Sequence, residues 1–355
     1  MSNDGNPLEI AKKLGSSVGG VLGEKAFQEL ELAYINSILP RFSDNQIIRM
    51  RQNLLLYWDQ SYLKTTLVDE FCKCIPSIFQ VLDVTSNSPE TLFGTIDEND
   101  RIVYPLFTVA HVAKMTELAT FVGGGQKSRD IVNTMNKVME GELVTRQLLK
   151  FGRRDLPRKE IDEAKARGVY YDPLRAQLSY KPAVSIFAAS RPLDNRTFTY
   201  LKGSGHLYRY HTLQHEISDE EAKTYFVINY KPNVPLYGLL LKLNERLASI
   251  EIKEINMPDQ NVMKDIFDHL TSVVEEEIQD RKVRLATIID LRTKGDILRE
   301  LAAHAAIRTI CENNLSKVET VEYDAKDIEF VEADIKHFVE FKINPMFVEE
   351  WSKPI

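Results

Sequence analysis

Residues 183–215 read AVSIFAASRPLDNRTFTYLKGSGHLYRYHTLQH. The fold of the second half of the chain turns on the period of this stretch. AVSIFAA, RTFTYL and HLYRYHTLQH are short, β-branched or aromatic, and parted by turn residues; TYFVINY at 224–230 continues the pattern. A period of two bounded by turn formers predicts strands. Strands this close in sequence predict an antiparallel meander.

Upstream, residues 152–182 change character. They are polar and basic, with a proline toward each end. Residues 146–175 carry nine Lys or Arg against five Asp or Glu, which suits a linker or an exposed helix. From 24 to 152 the apolar residues recur at helical steps. Phe27, Leu30, Leu32, Ile35 and Leu39 form one such run, closed by Pro40. Ser43 or Asp44 is placed to cap a second helix through Ile47, Leu54 and Trp58. LVDEFCKCIP continues the helical pattern, residues 84–101 read as a loop with a short hairpin, and helices resume at 106–122 and 128–151.

Downstream, IEIKEI at 250–255 alternates as a strand. Two long helices follow. One opens at Pro258-Asp259 with a stripe of Val262, Ile266, Leu270, Val273 and Ile278. The other is capped by Asp296 after a break at Gly295. Residues 317–344 alternate again and read as strands, and 311–355 hold eleven acids against five bases. Gly15, Gly19 and Gly23 make a GxxxGxxxG repeat in a segment that reads as a mobile arm.

The expected class is therefore α+β: a helical N-terminal half followed by a mixed half with an antiparallel sheet and two long helices. The expected parts are a flexible arm at 1–23, a helical domain at 24–152, a basic linker or exposed helix at 153–182, and an α+β domain at 183–355 with an acidic, strand-rich end.

Composition narrows the function classes. Hydrophobic residues are 43% and charged residues 27%, as in ordinary globular chains. A net charge of −7 argues against nonspecific binding of nucleic acid over the whole surface. No run approaches the ~18 apolar residues of a membrane span, and no signal peptide is evident. The three cysteines, Cys72, Cys74 and Cys311, suit reduced thiols in a cytoplasmic protein or an intracellularly assembled particle.

Three groups of residues invite chemistry. His206, His211 and His215 fall within ten residues. Zinc needs its imidazoles to converge on one point. On a strand, His211 and His215 share a face but lie ~13 Å apart at ~3.3 Å per residue. On a helix those two stack, and His206 points elsewhere. A metal would thus rest on His211 and His215, completed by Glu216 or a distant carboxylate, and a milder role is protonation of the cluster near pH 6. The stretch FVGGGQKSRD at 121–130 sets Gly123, Gly124 and Gly125 before Lys127 and Ser128. A P-loop needs glycine where Phe121 and Gln126 stand. The simpler reading is a helix end followed by a new helix N-terminus, which can hold an anion. Lastly, Arg146, Lys150, Arg153, Arg154, Arg158 and Lys159 lie beside Tyr170 and Tyr171, a mixture that can hold single-stranded nucleic acid. The competing reading is a solvated helix with internal Glu–Lys pairs.

No convergent catalytic signature stands in the sequence, and no cofactor is implied. The expectation is a non-catalytic structural or interaction subunit of a larger assembly, such as a virion or secretion-machine component. It would self-associate through its terminal segments or bind other subunits. The alternatives are a nucleic-acid-binding protein using 146–175, and a metal- or phosphate-dependent enzyme.

Overall fold

The computed structural model describes residues 5–40, 42, 51–85, 87–118, 126–148, 155–227, 230–278, 291–313 and 317–342. In chain order the elements begin with α1 (Pro7–Ile38), β1 (Leu54–Tyr57), α2 (Lys64–Cys72), β2 (Val81–Asp83), α3 (Pro89–Phe93), β3 (Thr95–Ile96), β4 (Ile102–Val103) and α4 (Leu106–Val109). Then come β5 (Val112–Met115), α5 (Gln126–Met139), β6 (Val144–Gln147), α6 (Arg158–Ala166), β7 (Val169–Asp172), β8 (Gln177–Tyr180), β9 (Ser185–Ser190) and α7 (Asn195–Gly203). The remainder are β10 (His211–Gln214), α8 (Asp219–Val227), α9 (Val234–Ser249), β11 (Glu251–Ile255), α10 (Gln260–Ile278), α11 (Leu291–Asn313), β12 (Lys317–Val321) and α12 (Ala325–Lys342). The chain divides into two compact units: residues 1–50, 212–214 and 231–355 in the first, 51–211 and 215–230 in the second. This division differs from the expected boundaries near 152 and 182.

A five-stranded sheet has the order β10-β1-β9-β5-β2, and its strands β1, β9, β5 and β2 belong to the second unit. β1, β9, β5 and β2 are mutually parallel, with Leu55 beside Ala188 and Ala113 beside Ile186. The amide of His211 donates to the carbonyl of Asn53 and that of His215 to the carbonyl of Tyr57, so β10 also runs parallel to β1. All four residues of β1 and all six of β9 are buried. Strands covered on both faces carry continuous apolar runs without alternation. Phe71 of α2 meets Phe187 of β9 edge to face, with ring centroids 6.1 Å apart. Asn53 fastens the amino ends of the strands. Its carbonyl oxygen accepts the Ile186 amide at 3.0 Å, and its amide group donates to the carbonyls of Met139 and Arg209.

The expected antiparallel meander is thus corrected. HTLQH does hold a strand and AVSIFAAS another, but they belong to a parallel sheet. RTFTYL forms α7, because the Asp194 carboxylate caps it through the amides of Arg196 and Thr197 at 3.0 Å each. TYFVINY enters α8, whose start is a capping box. The Ser218 hydroxyl accepts the Glu221 amide, and the Glu221 carboxylate accepts the Ser218 amide. Local capping overrides strand propensity at both places. Antiparallel pairing occurs in the three-stranded sheet β6-β8-β7: β7 and β8 lie inside the segment expected to be a linker, and β6 lies where the helix expected at 128–151 would have continued. Between 51 and 118, a helix was expected where β1 stands and another where β5 stands. The hairpin expected within 84–101 spans 95–103 as the pair β3–β4, and residues 89–93, expected to be loop, form α3.

In the first unit, the segment expected to be a mobile arm is the start of α1. Leu8, Ile10, Leu14, Val18 and Leu22 are all buried. α1 kinks at Gly19 and Gly20, and Gly20 takes φ 57°, ψ −139°, a conformation open to glycine. The kink folds the helix back until a Cβ on Gly15 would lie 2.1 Å from the Gly23 carbonyl oxygen. The glycine repeat therefore serves a tight turn within the chain. β11 pairs with β12 in parallel. Residues 325–342, expected to be strands, are the helix α12, which packs Val331 and Ile335 against Ile266, Leu270 and Val274 of α10 and Ile297 and Leu301 of α11. α11 runs unbroken through Gly295. Among the described residues, no helix is long and apolar enough to cross a membrane.

Candidate functional site

In open parallel sheets, ligands bind outside the carboxyl ends of the strands, where neighbouring connections depart in opposite directions. Here that place lies between β1 and β9. From β1 the chain crosses to β2 at one edge, and from β9 it crosses to β10 at the other.

The connection leaving β1 is Trp58-Asp59-Gln60-Ser61-Tyr62-Leu63, and Lys64 opens α2. Trp58 is buried, and its indole N–H donates to the Tyr62 carbonyl at 2.7 Å, closing the loop. Ser61 has φ 75° and Leu63 φ 59°, two of four non-glycine residues with positive φ among those described. Such backbone costs about 1–3 kcal/mol per residue and clusters at functional sites. No side chain caps the α2 N-terminus. Lys64 is only 8% exposed, and its ammonium donates to the loop's own carbonyls, Trp58 at 2.7 Å and Asp59 at 2.5 Å. Burial pushes its pKa down to about 8, against the pull of the Asp59 and Glu117 carboxylates.

Other groups stand at the same ends of the neighbouring strands. Glu117 follows β5 and pairs with Arg191, which follows β9, at 3.8 Å. Thr116 donates its amide to the Thr85 hydroxyl, just after β2, at 2.9 Å. Lys64-Thr65 opens a helix after a strand and a loop, but the phosphate-loop pattern G-x-x-x-x-G-K-[ST] fails at both glycine positions, which hold Trp58 and Leu63, as it fails at 121–128. No family model matches this chain, and no curated protein does.

Without those glycines, sequence reading passes this loop over. Leu63 has a left-handed backbone, a conformation that favours glycine. The remaining signal is an apolar strand, a six-residue connection, then Lys-Thr opening a helix. Chemically, the Lys64 charge and the free amide end of α2 suit a phosphate. Thr65, exposed in the first turn, and Glu117 carry the kind of oxygen atoms that a magnesium ion arriving with phosphates would use. Among the described residues, no group of three or more His, Cys, Asp or Glu could hold a metal alone.

The residues expected from sequence stand elsewhere. His211 and His215 are separated by the extended β10, about 13 Å of chain, and do not converge. His215 Nε2 lies 2.8 Å from Glu221 Oε1. His206 is buried with Nδ1 2.6 Å from Asn136 Oδ1, and burial, aided by Arg209, pushes its pKa down to about 3. It therefore stays neutral near pH 6, where the cluster was expected to protonate. Gly123, Gly124 and Gly125 lie outside the described residues, as do the side chains of Lys127 and Ser128 at the start of α5. Lys150, Arg153 and Arg154 lie outside them too. Arg146 donates to the Pro89 and Gly94 carbonyls at 2.6 Å each and faces Glu90, which is a structural use. Arg158 and Lys159 are exposed and pair one turn on with Asp162 and Glu163.

Proposed function

We propose that residues 51–230 form a phosphate-binding unit of P-loop design, in which the connection 58–63, Lys64 and the N-terminus of α2 receive a polyphosphate group. The observation that carries this is Lys64, a buried cation at the carboxyl end of a central parallel strand, aimed into the loop that precedes it. Without an anion, the ammonium is satisfied by two loop carbonyls. A bound phosphate would take their place and complete the charge. Phosphate dependence was one of the alternatives drawn from sequence; the proposed site is residues 58–65 instead of 123–128. The reading as an assembly subunit drew on a free arm at 1–23, and the burial of Leu8, Ile10 and Leu14 removes that support.

Magnesium tripolyphosphate at millimolar concentration is expected to raise the melting temperature of the full chain by several degrees, because a ligand that binds only the folded state stabilises it by mass action. An unchanged melt over that range defeats the proposal. Leu63→Gly is expected to tighten tripolyphosphate binding several-fold. It removes a Cβ beside the loop backbone while keeping the left-handed conformation. Stability should shift by no more than about 1 kcal/mol, since relief of strain offsets the added chain entropy. Weaker binding in this variant would show that the loop does not hold phosphate as a P-loop does.

A further inference from the structure

Beside the Lys64 loop stands a group of three tyrosines. The Tyr62 ring, two residues before Lys64, meets the Tyr225 ring edge-on, with centroids 5.6 Å apart and planes at 74°. Tyr225 in turn lies 5.6 Å from Tyr230 at 47°. All three are half-buried. Tyr225 belongs to α8, a helix with no buried residue, whose Phe226 is 93% exposed. A helix that buries nothing draws little stability from packing of its own. Its start is fixed by the Ser218–Glu221 capping box and the His215–Glu221 contact, and Tyr225 places it against the loop.

We infer that Tyr62, Tyr225 and Tyr230 form a stacking platform for a nucleobase, so that the polyphosphate taken by Lys64 is that of a nucleoside triphosphate. This rests on the phosphate-binding reading and extends it to a ligand class. Aromatic side chains stack on any base through its π-face. Aromatic rings lying against a phosphate loop suit a ligand that is flat and apolar at one end and anionic at the other. Inorganic polyphosphate would leave these rings unused. Tyr62 connects the two functions, because its ring touches Tyr225 while its carbonyl accepts the Trp58 indole that closes the loop.

The test is a set of titrations of the full chain with magnesium ATP and magnesium tripolyphosphate, in the wild type, Tyr225→Ala and Tyr225→Phe. The wild type should bind ATP about tenfold more tightly than tripolyphosphate, since stacking of one base contributes roughly that factor or more. Tyr225→Ala should lose this advantage with tripolyphosphate affinity unchanged, and Tyr225→Phe should retain it. Equal affinities for the two ligands in the wild type would overturn the platform and leave the phosphate site standing. So would a Tyr225→Ala chain that still prefers ATP tenfold, or one that weakens both ligands alike. Binding of neither ligand would remove the phosphate site, and the platform with it.

Discussion

Lys64→Ala is expected to weaken magnesium tripolyphosphate binding at least tenfold at pH 7 while the chain stays folded. The lysine is buried, and its ammonium makes two hydrogen bonds to the loop, at the Trp58 and Asp59 carbonyls. On binding, these bonds would be exchanged for bonds to phosphate oxygens; a hydrogen bond between charged groups contributes about 1.5–3 kcal/mol, and 1.4 kcal/mol is a factor of ten in affinity. In the ligand-free chain the same substitution also removes both loop hydrogen bonds, offset in part by the burial cost of the charge, so a loss of stability of about 1–3 kcal/mol is expected, with the titrations read well below the variant's melting temperature. The pH dependence has a definite sign. Burial holds the Lys64 pKa at about 8, and the binding form is the protonated one. Wild-type affinity should therefore fall as pH rises from 7 to 9, and the Lys64→Ala affinity should be flat across that range. Calorimetric titration at the two pH values reads both effects. Equal affinities in wild type and variant would show that Lys64 does not meet the ligand.

Glu31→Gln should produce the largest change in stability, in the first unit. Glu31 lies on α1 with no exposed surface. Its Oε2 accepts from the Asn244 amide group at 3.3 Å, and its Oε1 is buried without a hydrogen-bond partner. Burial pushes its pKa up to about 8, with the Asn244 hydrogen bond pulling the other way. The folded chain thus holds a proton that the unfolded chain has released above its ordinary value of 4.5. Between those two values the native state binds more protons, so stability falls as pH rises, by up to about 1.4 kcal/mol per pH unit. Below 4.5 the contribution is fully present, and above about 8 it has gone. Gln is neutral throughout and cannot lose this proton. Denaturant unfolding at pH 5, 6.5 and 8 should show wild type and Glu31→Gln drawing apart as pH rises, with the variant about 3 kcal/mol more stable at pH 8 once its own buried amide is counted. Parallel stabilities across the three pH values would show that Glu31 does not change its protonation on folding.

Much of the helical pattern is visible in the sequence. The stripe of Ile266 and Leu270, the helix around Phe27 to Ile35, and the turn-rich hairpin at 95–103 all carry a period or a punctuation that needs no tertiary information. β1 and β5 carry neither. LLLY and VAKM are four residues long, and an apolar run of that length does not distinguish a strand from a helix segment. The order of the sheet is set by contacts over a hundred residues apart, as between Leu54 and Phe187. The SDEE capping box of α8 and the Asp194 cap of α7 were legible, and the aromatic residues beside them drew the reading toward strands. The candidate site was hidden for a different reason. Trp58 and Leu63 stand where a phosphate-loop pattern has glycine, so no motif marks the loop, and its left-handed backbone shows only in the fold. The burial of Lys64 depends on the packed sheet, which no local pattern reveals.

The most direct measurement is amide hydrogen exchange of the full chain, peptide by peptide, with and without magnesium tripolyphosphate. Slowed exchange is expected in peptides covering residues 58–66, whose amides would close on the ligand. Protection confined to other segments, 123–130 among them, or no protection anywhere, would contradict it.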